Sequence, residues 1–241
     1  MAVKVEQVDA ALIETVCSRI RERCDADEAP QLEEFVREYY RWVPPEDLVG
    51  RDALDLYGAA LAHWKFLEQR APGEAKVRVY NPSFEQHGWQ STHTVVEMAT
   101  DDMPFLVDSV TMALTRRSHG IHLLLHPVVR ARRDEQGRML EVLSPGAPEG
   151  EGVAESVLHA EIDRETEPAE LDALREDLLR TLGQVRATVE DWPPMRARVH
   201  ELVAELDASR PPVDPVEVEE AKALLEWLDD HHFTFLGYRE Y

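Results

Sequence analysis

The sequence lacks several features on which common classes of protein depend. It has only two cysteines, Cys17 and Cys24, which lie seven positions apart in one predicted helix. Sulfurs separated by roughly 10 Å along a helix axis cannot bond to each other, and the sequence has no CxxC or HExxH pair for a metal ion. No apolar run reaches the roughly 18 residues of a membrane helix, and the acidic start of the chain is unlike a secretory signal. We therefore expect a cytoplasmic protein without a membrane partner, a disulfide or a metal site.

Positive charge is also scarce. The chain has 26 Lys and Arg against 48 Asp and Glu, a formal net charge of −22 at pH 7. Binding to nucleic acids and to anionic lipids draws its affinity from basic side chains, so both partners are disfavoured. The acidic surface is typical of a well-solvated globular protein.

Catalytic and cofactor motifs are missing as well. Eleven glycines occur, but none belongs to the GxGxxG turn that holds a dinucleotide or to the GxxxxGK[ST] loop that holds a phosphate. The GxSxG motif of hydrolases is also absent. We expect no catalytic residue and no cofactor within this chain.

Apolar residues make up 44% of the 241 positions, which is enough for one or two folded domains. Their spacing predicts a helical segment over residues 1–75, in which Asp52 caps one helix, and an α+β domain over residues 76–191. A helical connector follows over residues 192–231, restarted at Pro193 and Pro194. Residues 232–241, HFTFLGYREY, read as a strand without a partner, which predicts the first strand of a following, truncated domain.

The central segment alternates apolar and polar residues as strands do. Residues 92–100 form a β-branched run, and a helix with a buried apolar stripe follows and ends at Gly120. Further strands are predicted over residues 121–129, with Pro127 at an edge or a bulge, and over residues 138–143 and 156–163, the first two joined by a hairpin turn. This order predicts an α+β fold with helices on one face of an antiparallel sheet.

The stretch TDDMPFLVDSVTMALTRRSHGIHLLLH, which starts at Thr100, resembles the ACT domain. In the ACT pattern an acid, one residue, Pro, Gly and two apolar residues open the first helix, and Gly-Ile begins the second strand. The resemblance implies an ACT/ferredoxin-like antiparallel sheet, here flanked by N- and C-terminal helical segments. Phe105 stands where the pattern has glycine.

Four longer strings are similar to the N-terminal region of the large bacterial NAD-specific glutamate dehydrogenases: MATDDMPFLVDSV, HPVVRARRDEQG, ESVLHAEIDRET and HFTFLGYREY. The resemblance implies a non-catalytic regulatory and assembly region. The parent enzyme would oxidise L-glutamate to 2-oxoglutarate, with NAD bound in a catalytic region outside this chain. The implied partners are the rest of the polypeptide and the other subunits of a homo-oligomer.

The loop before the predicted helix is the candidate ligand site, and its residues are Asp101, Asp102, Met103, Pro104 and Phe105. The aspartates are expected to cap the helix. In ACT modules this loop grips an amino acid, which makes direct amino-acid sensing the alternative function, with an Asp on the ammonium group and helix N–H groups on the carboxylate. Phe105 would fill the space that the ligand needs, so we expect it to pack into the core or an interface. A third hypothesis, a hydrolase or lyase that uses the two aspartates and a nearby histidine, has no nucleophile motif in its support.

Four residues are predicted to lie at an interface: His122, His126, Trp89 and Arg130. The two histidines are four positions apart on one strand, or about 13 Å, which is too far for one metal ion, although His159 on another strand could approach one of them. Trp89 belongs to the apolar loop NPSFEQHGWQS and is expected to cap the core or an interface. Arg130 belongs to a basic island whose other members are Arg116, Arg117, Arg132 and Arg133. The island either docks to an acidic partner or pairs with acidic residues within the chain, and the sequence leaves both alternatives open.

Overall fold

The computed structural model of the chain describes residues 2–144, 146–148, 150–209 and 211–239, and for residues 2–10, 45 and 231 it describes the backbone alone. The chain divides into two compact units, Met1–Leu182 and Gly183–Tyr241. The predicted helical segment over residues 1–75 lies in the same unit as the sheet that follows it.

The first unit begins with helices. Each buries its apolar stripe, and Asp52 caps the last of them by accepting a hydrogen bond from the Leu54 amide at 2.7 Å, as predicted. The helices are α1 (Ala2–Arg23), α2 (Ala29–Tyr39), α3 (Pro45–Leu48) and α4 (Ala53–Leu67).

The central sheet is antiparallel throughout its described strands. These are β1 (Lys76–Tyr80), β2 (Thr94–Asp101), β3 (Ile121–Leu125), β4 (Val128–Arg133), β5 (Met139–Leu143) and β6 (Val153–Ile162). The order is β1-β2-β6-β4-β5, and β3 also pairs with β6. Between the strands lie α5 (Phe84–His87) and α6 (Leu106–Arg116), and α7 (Pro168–Ser209) follows β6.

The strand predicted over residues 121–129 is interrupted at Pro127. β3 pairs with the second half of β6 and β4 with its first half, while the Val157 amide donates to the Pro127 carbonyl at 3.0 Å. The two pieces therefore form one bent strand alongside β6. Proline has no amide to donate to a ladder, which explains why the regular pairing stops there.

Both faces of the sheet are covered. Because side chains alternate across a strand, Ala99 and Val157 face the N-terminal helices and pack with Phe35 and Trp64 in one core cluster. Met98 and Leu158 point to the opposite face and are also buried. The predicted ACT/ferredoxin-like α+β class is confirmed, and the N-terminal helices cover its second face.

A buried ion network joins four parts of this unit. Arg133 donates to both Glu155 oxygens at 2.6 and 2.8 Å, and Arg70 reaches Glu155 at 3.2 Å and Asp101 at 2.8 Å. Arg70 and Arg133 also donate to the carbonyls of Glu74 and Gly137. Burial alone raises the pKa of Glu155, but hydrogen bonds from Arg133 and Arg70 outweigh it and hold that pKa below its usual range. The network links the segment after α4, the end of β2, the β4–β5 hairpin and β6.

The second unit departs from the prediction in two places. Helix α7 runs through Pro193 and Pro194 without the predicted break, because Met195 and Val199 keep their buried positions in the helical register beyond them. After α8 (Pro215–Trp227) and a π-helical turn (Leu228–His232), residues 233–239 have no regular structure. Residues 233–239 thus form no strand here, residues 240 and 241 lie outside the described part, and the first strand of a following domain over residues 232–241 stays a prediction. A strand needs a partner for its backbone groups, and none of the described residues supplies one.

We predict opposite effects of alanine at two helical glycines. A Cβ atom on Gly58 would lie 2.2 Å from Cβ of Trp89, whereas a Cβ atom on Gly183 would meet nothing within 4 Å. Gly58→Ala should lower the free energy of unfolding by roughly 1–3 kcal/mol through overpacking. Gly183→Ala should raise it by up to about 1 kcal/mol, since alanine is the better helix former. Urea unfolding of both variants checks the signs, and stabilisation of both would contradict the close packing of Trp89 on α4.

Glu155→Gln should destabilise the fold by roughly 3–5 kcal/mol, because it leaves two buried guanidinium groups without their shared carboxylate. The matched control is Glu141→Gln. It removes the partner of Arg132 in an exposed pair and should cost less than about 1 kcal/mol. Equal losses in the two variants, measured by denaturant unfolding, would show that the network contributes nothing beyond a surface ion pair.

Candidate functional site

The predicted ligand-binding loop, residues 101–105, joins β2 to α6. Two backbone hydrogen bonds define its ends. The Asp102 amide donates to the Ala154 carbonyl of β6 at 2.9 Å, and the Ser109 amide donates to the Phe105 carbonyl at 3.0 Å in the first turn of α6. The loop is thus tied to β6 on one side and continues directly into the helix.

Asp101 is committed to the buried ion network. It accepts from Arg70 at 2.8 Å, and Arg70 is only 1% exposed. Sequence reasoning found Asp101 but missed Arg70, because an arginine in the segment after a helix reads as a solvated residue.

Asp102 belongs to a second chain of hydrogen bonds. The Ser156 hydroxyl donates to Asp102 at 2.6 Å and accepts from His126 Nε2 at 3.0 Å. Burial lowers the pKa of His126, which favours its neutral form. Since the serine proton points to Asp102 and not to the histidine, the order of the three groups does not match a nucleophile activated by a histidine base.

The predicted capping role of Asp101 and Asp102 is wrong. Helix α6 begins at Leu106, the residue at its N-cap is Phe105, and no side chain caps the helix. Three residues separate Asp102 from the helix, and both carboxylates bind partners elsewhere in the fold. The first-turn amide groups of α6 are therefore not satisfied by either aspartate.

Phe105 adopts the backbone conformation of a glycine. Its φ is +70° and its ψ is 0°, a left-handed geometry that is a genuine outlier for a bulky residue. Its side chain is 44% exposed, so the expected packing into the core is not found. Phenylalanine in this left-handed conformation costs about 1–2 kcal/mol in backbone strain.

Met103 and Pro104 complete the loop. Met103 is half-buried and Pro104 is exposed. The groups that the loop presents to solvent are thus the Asp102 carboxylate, the ring of Phe105 and the amides of the first turn of α6. These groups suit an anion or a dipolar molecule near the helix start.

The four predicted interface residues all have partners within the chain. His122 donates to Asp163 at 2.7 Å and stacks on His93 at 4.2 Å, and Arg130 donates to the carbonyls of Ala147 and Pro148. Trp89 is only 1% exposed and packs against α4 at Gly58, so it belongs to the core and not to a surface.

Most arginines of the basic island pair with carboxylates of the same chain. Arg116 and Arg117 meet Asp177 of α7, Arg132 pairs with Glu141, and Arg133 with Glu155. These pairs consume the charge that docking to an acidic partner would need.

A buried polar cluster between α4 and the sheet was missed by sequence reasoning. Ligand atoms of His63, Glu97 and His159 lie within 4.8 Å of one another, all in buried side chains. The Tyr39 hydroxyl donates to His63 Nδ1 at 2.9 Å, and His63 Nε2 donates to the Met98 carbonyl at 3.3 Å. His159 is thus part of this cluster.

The cluster is better suited to hydrogen bonding than to a metal ion. Both nitrogens of His63 are engaged, and Glu97 already accepts from Arg78 at 2.8 Å and from Tyr80 at 3.0 Å. Burial lowers the pKa of His63 well below its usual value, so this ring stays neutral. In the sequence, Glu97 and His159 occupy strand positions between apolar neighbours. A polar side chain at such a position must find hydrogen-bond partners inside the core.

The strain at Phe105 predicts that glycine at this position gives a more stable protein than alanine. Phe105→Gly should be more stable than Phe105→Ala by about 1 kcal/mol, since both lose the ring but only glycine tolerates the positive φ. Phe84 is the control, because it is an exposed phenylalanine in α5 without a positive φ. There alanine should be the more stable by up to about 1 kcal/mol. Thermal or urea unfolding of the four variants measures both differences, and the same sign at the two positions would contradict the left-handed turn.

Within the residues that the structure describes, no helix combines the length and the apolar character needed to cross a bilayer.

Comparison with known proteins gives the family. The family described as "Glutamate dehydrogenase, ACT1 domain" matches residues 35–178. The NAD-specific glutamate dehydrogenase of Halomonas elongata is 43% identical over 237 residues, which cover 98% of this chain and 15% of that protein. The enzyme of the same name from Pseudomonas aeruginosa is 43% identical over 212 residues, 88% of this chain and 13% of its own length. That of Mycobacterium tuberculosis is 26% identical over 183 residues, 74% of this chain and 11% of its own length.

The chain therefore spans less than a sixth of the length of these relatives. The family match begins in α2 and ends in α7, so it includes the whole sheet, the loop over residues 101–105 and the buried ion network around Glu155. The resemblance predicted from the four sequence strings is confirmed, and the chain belongs to the family of the glutamate dehydrogenase ACT1 domain as an N-terminal region of the NAD-specific enzymes.

Proposed function

We propose that this chain is a non-catalytic regulatory and assembly region of an NAD-dependent glutamate dehydrogenase, a cytoplasmic homo-oligomer. The observation that carries the proposal is the family match to an ACT1 domain in a chain that aligns with only 15% and 13% of two NAD-specific relatives. The oxidation of L-glutamate to 2-oxoglutarate is then the work of the remaining polypeptide.

The chemistry of the chain supports a non-catalytic role. The sequence has no GxGxxG turn, and the described strands pair only antiparallel, whereas a dinucleotide fold is built on a mostly parallel sheet. These residues do not fit NAD, which we place in the catalytic region of the parent enzyme. Asp101 and Asp102, the carboxylates proposed for acid–base chemistry, are held by Arg70 and Ser156.

An assembly role is supported by exposed apolar residues on α6. Phe105 is 44% exposed and Met112 is 70% exposed. Phe105 directly precedes α6, and Met112 lies in the second turn of the helix. Exposed apolar residues grouped in this way suit contact with another domain or subunit of the parent enzyme.

Direct binding of an amino acid at the loop over residues 101–105 stays a prediction. The left-handed conformation of Phe105 is one that glycine, the residue of the ACT pattern, adopts readily, which favours the idea. The engagement of Asp101 by Arg70 disfavours it, since this carboxylate is not available to an ammonium group.

The proposal predicts that the isolated chain forms no NADH from glutamate and NAD, while the full-length enzyme does. In the full-length enzyme, Met112→Glu should reduce assembly in analytical ultracentrifugation, because it places a charge in an apolar contact. Trp42→Glu is the control, since Trp42 is an exposed apolar residue outside α6, and it should leave the sedimentation unchanged.

Turnover by the isolated chain would overturn the non-catalytic assignment. Unchanged assembly of the Met112→Glu enzyme would overturn the assembly role of α6.

A further inference from the structure

Helix α8, in the second unit, packs one of its sides against the end of α7. The Lys222 side chain is 15% exposed and donates to Asp207 of α7 at 2.6 Å. Val218 and Leu225, which lie one turn to either side of Lys222, are half-buried, while most other residues of α8 are exposed. Because these three positions recur at helical spacing, they mark the side that α8 turns toward α7.

The opposite side of α8 is apolar and exposed. Val216 is 63% exposed, Leu224 is 56% exposed, Trp227 is 51% exposed, and Ala223 is exposed as well. These four positions follow the spacing i, i+7, i+8 and i+11, which 3.6 residues per turn places on one side of the helix, roughly opposite Val218. We call these four residues the outer stripe. A contiguous apolar stripe that faces water is typical of a surface that contacts another protein segment.

The largest side chain of the outer stripe is held in one orientation. The ring of Trp227 stacks on that of His232 with 4.6 Å between their centroids, and His232 Nδ1 donates to the Trp227 carbonyl at 3.0 Å. One face of the indole is thus covered, while about half of the side chain stays exposed. An aromatic side chain that is already ordered loses little conformational entropy on binding, so Trp227 suits the role of an interface anchor.

Carboxylates surround the outer stripe. Helical spacing places Glu217 and Glu226 on its two sides and Glu220 within it, and none of these three pairs with a cationic side chain of the described residues. The helix has four glutamates and one lysine, Lys222, whose charge is already used on the side that faces α7. The apolar surface therefore lies in a negative field, which attracts a basic partner and repels an acidic one.

We propose that the outer stripe docks an amphipathic helix whose apolar face is flanked by Lys or Arg, and that this helix belongs to the part of the same polypeptide outside this chain. A second copy of α8 is a poor partner, because it would bring glutamates opposite glutamates. The relatives are several times longer than this chain, and a tethered segment reaches an effective concentration in roughly the millimolar range, so a single helix suffices. The inference deepens the assembly role in the proposed function and rests on it.

The test is photo-cross-linking in the full-length enzyme, with p-benzoylphenylalanine in place of Leu224. The control position is Ala204, which is exposed on α7 and lies one turn from His200 and Glu201. We expect position 224, and not position 204, to capture a peptide from outside residues 1–241 in which apolar residues at helical spacing are flanked by Lys or Arg. The product should keep the electrophoretic mass of one polypeptide, because the two segments belong to the same chain.

Charge reversal tests the basic character of the partner. Glu220→Lys should lower the yield of the cross-link at position 224 about fivefold, because it replaces an attraction beside the stripe with a repulsion. The matched control is Glu176→Lys, at an exposed glutamate of α7 that has no cationic partner among the described residues. It changes the net charge by the same amount and should leave the yield unchanged. Both positions are exposed, so both variants should fold, which unfolding measurements verify.

Four results would overturn the proposal: a product with the mass of two polypeptides, a captured peptide without basic residues, a captured peptide from within residues 1–241, or no cross-link above the control. Equal yields in the two charge variants would overturn the selection by charge. None of these results bears on NADH formation or on the sedimentation of the Met112→Glu enzyme, so the proposed function can stand when the outer stripe fails. Turnover by the isolated chain refutes the proposed function whichever peptide is captured.

Discussion

The first unit depends on one carboxylate, that of Glu155. It lies near the start of β6, fully buried, and two arginines from distant parts of the chain meet on it. Burying three charges is unfavourable unless each has a partner. Here both arginines also donate to a backbone carbonyl, and Arg70 donates to Asp101 as a second carboxylate. The geometry is satisfied only when the segment after α4, the end of β2, the hairpin and β6 are all in place. The network therefore selects one arrangement of these parts over compact alternatives.

Local features of the sequence predicted the local structure well. Asp52 caps α4, the stripe of Leu106, Val110, Ala113 and Leu114 is buried in α6, and Pro127 interrupts a strand, because each depends on near neighbours in the chain. The failures lie where distant residues decide. Asp101 does not cap α6 because Arg70, 31 positions away, binds it. Phe105 was expected to pack into the core or an interface, and its side chain does not lie in the core of the first unit. Residues 233–239 have no regular structure and pair with no described strand, so the strand predicted there stays a prediction.

The polar residues of the first unit divide into those that hold the fold and those that remain available. Asp101, Glu155, Glu97 and His63 have their partners within the chain, and they account for most of the chemistry that looked catalytic in the sequence. Arg164, His159 and the Asp102 carboxylate are the groups less fully engaged. This division is typical of a domain that senses or positions, because binding needs a few convergent polar groups on a rigid frame and no activated nucleophile.

The position of β6 sets an order of events during synthesis. It is the last strand of the sheet in sequence, yet it pairs with β2, β3 and β4 and so lies at the centre. Before residue 162 has left the ribosome, β2 and the bent strand cannot join, and the apolar faces of α1, α2 and α4 have no complete sheet to cover. Pairing between segments so far apart is slow, because a long loop must close before the contacts form. The growing chain therefore carries exposed apolar helices through most of the translation of this region, a period in which its high negative charge opposes self-association.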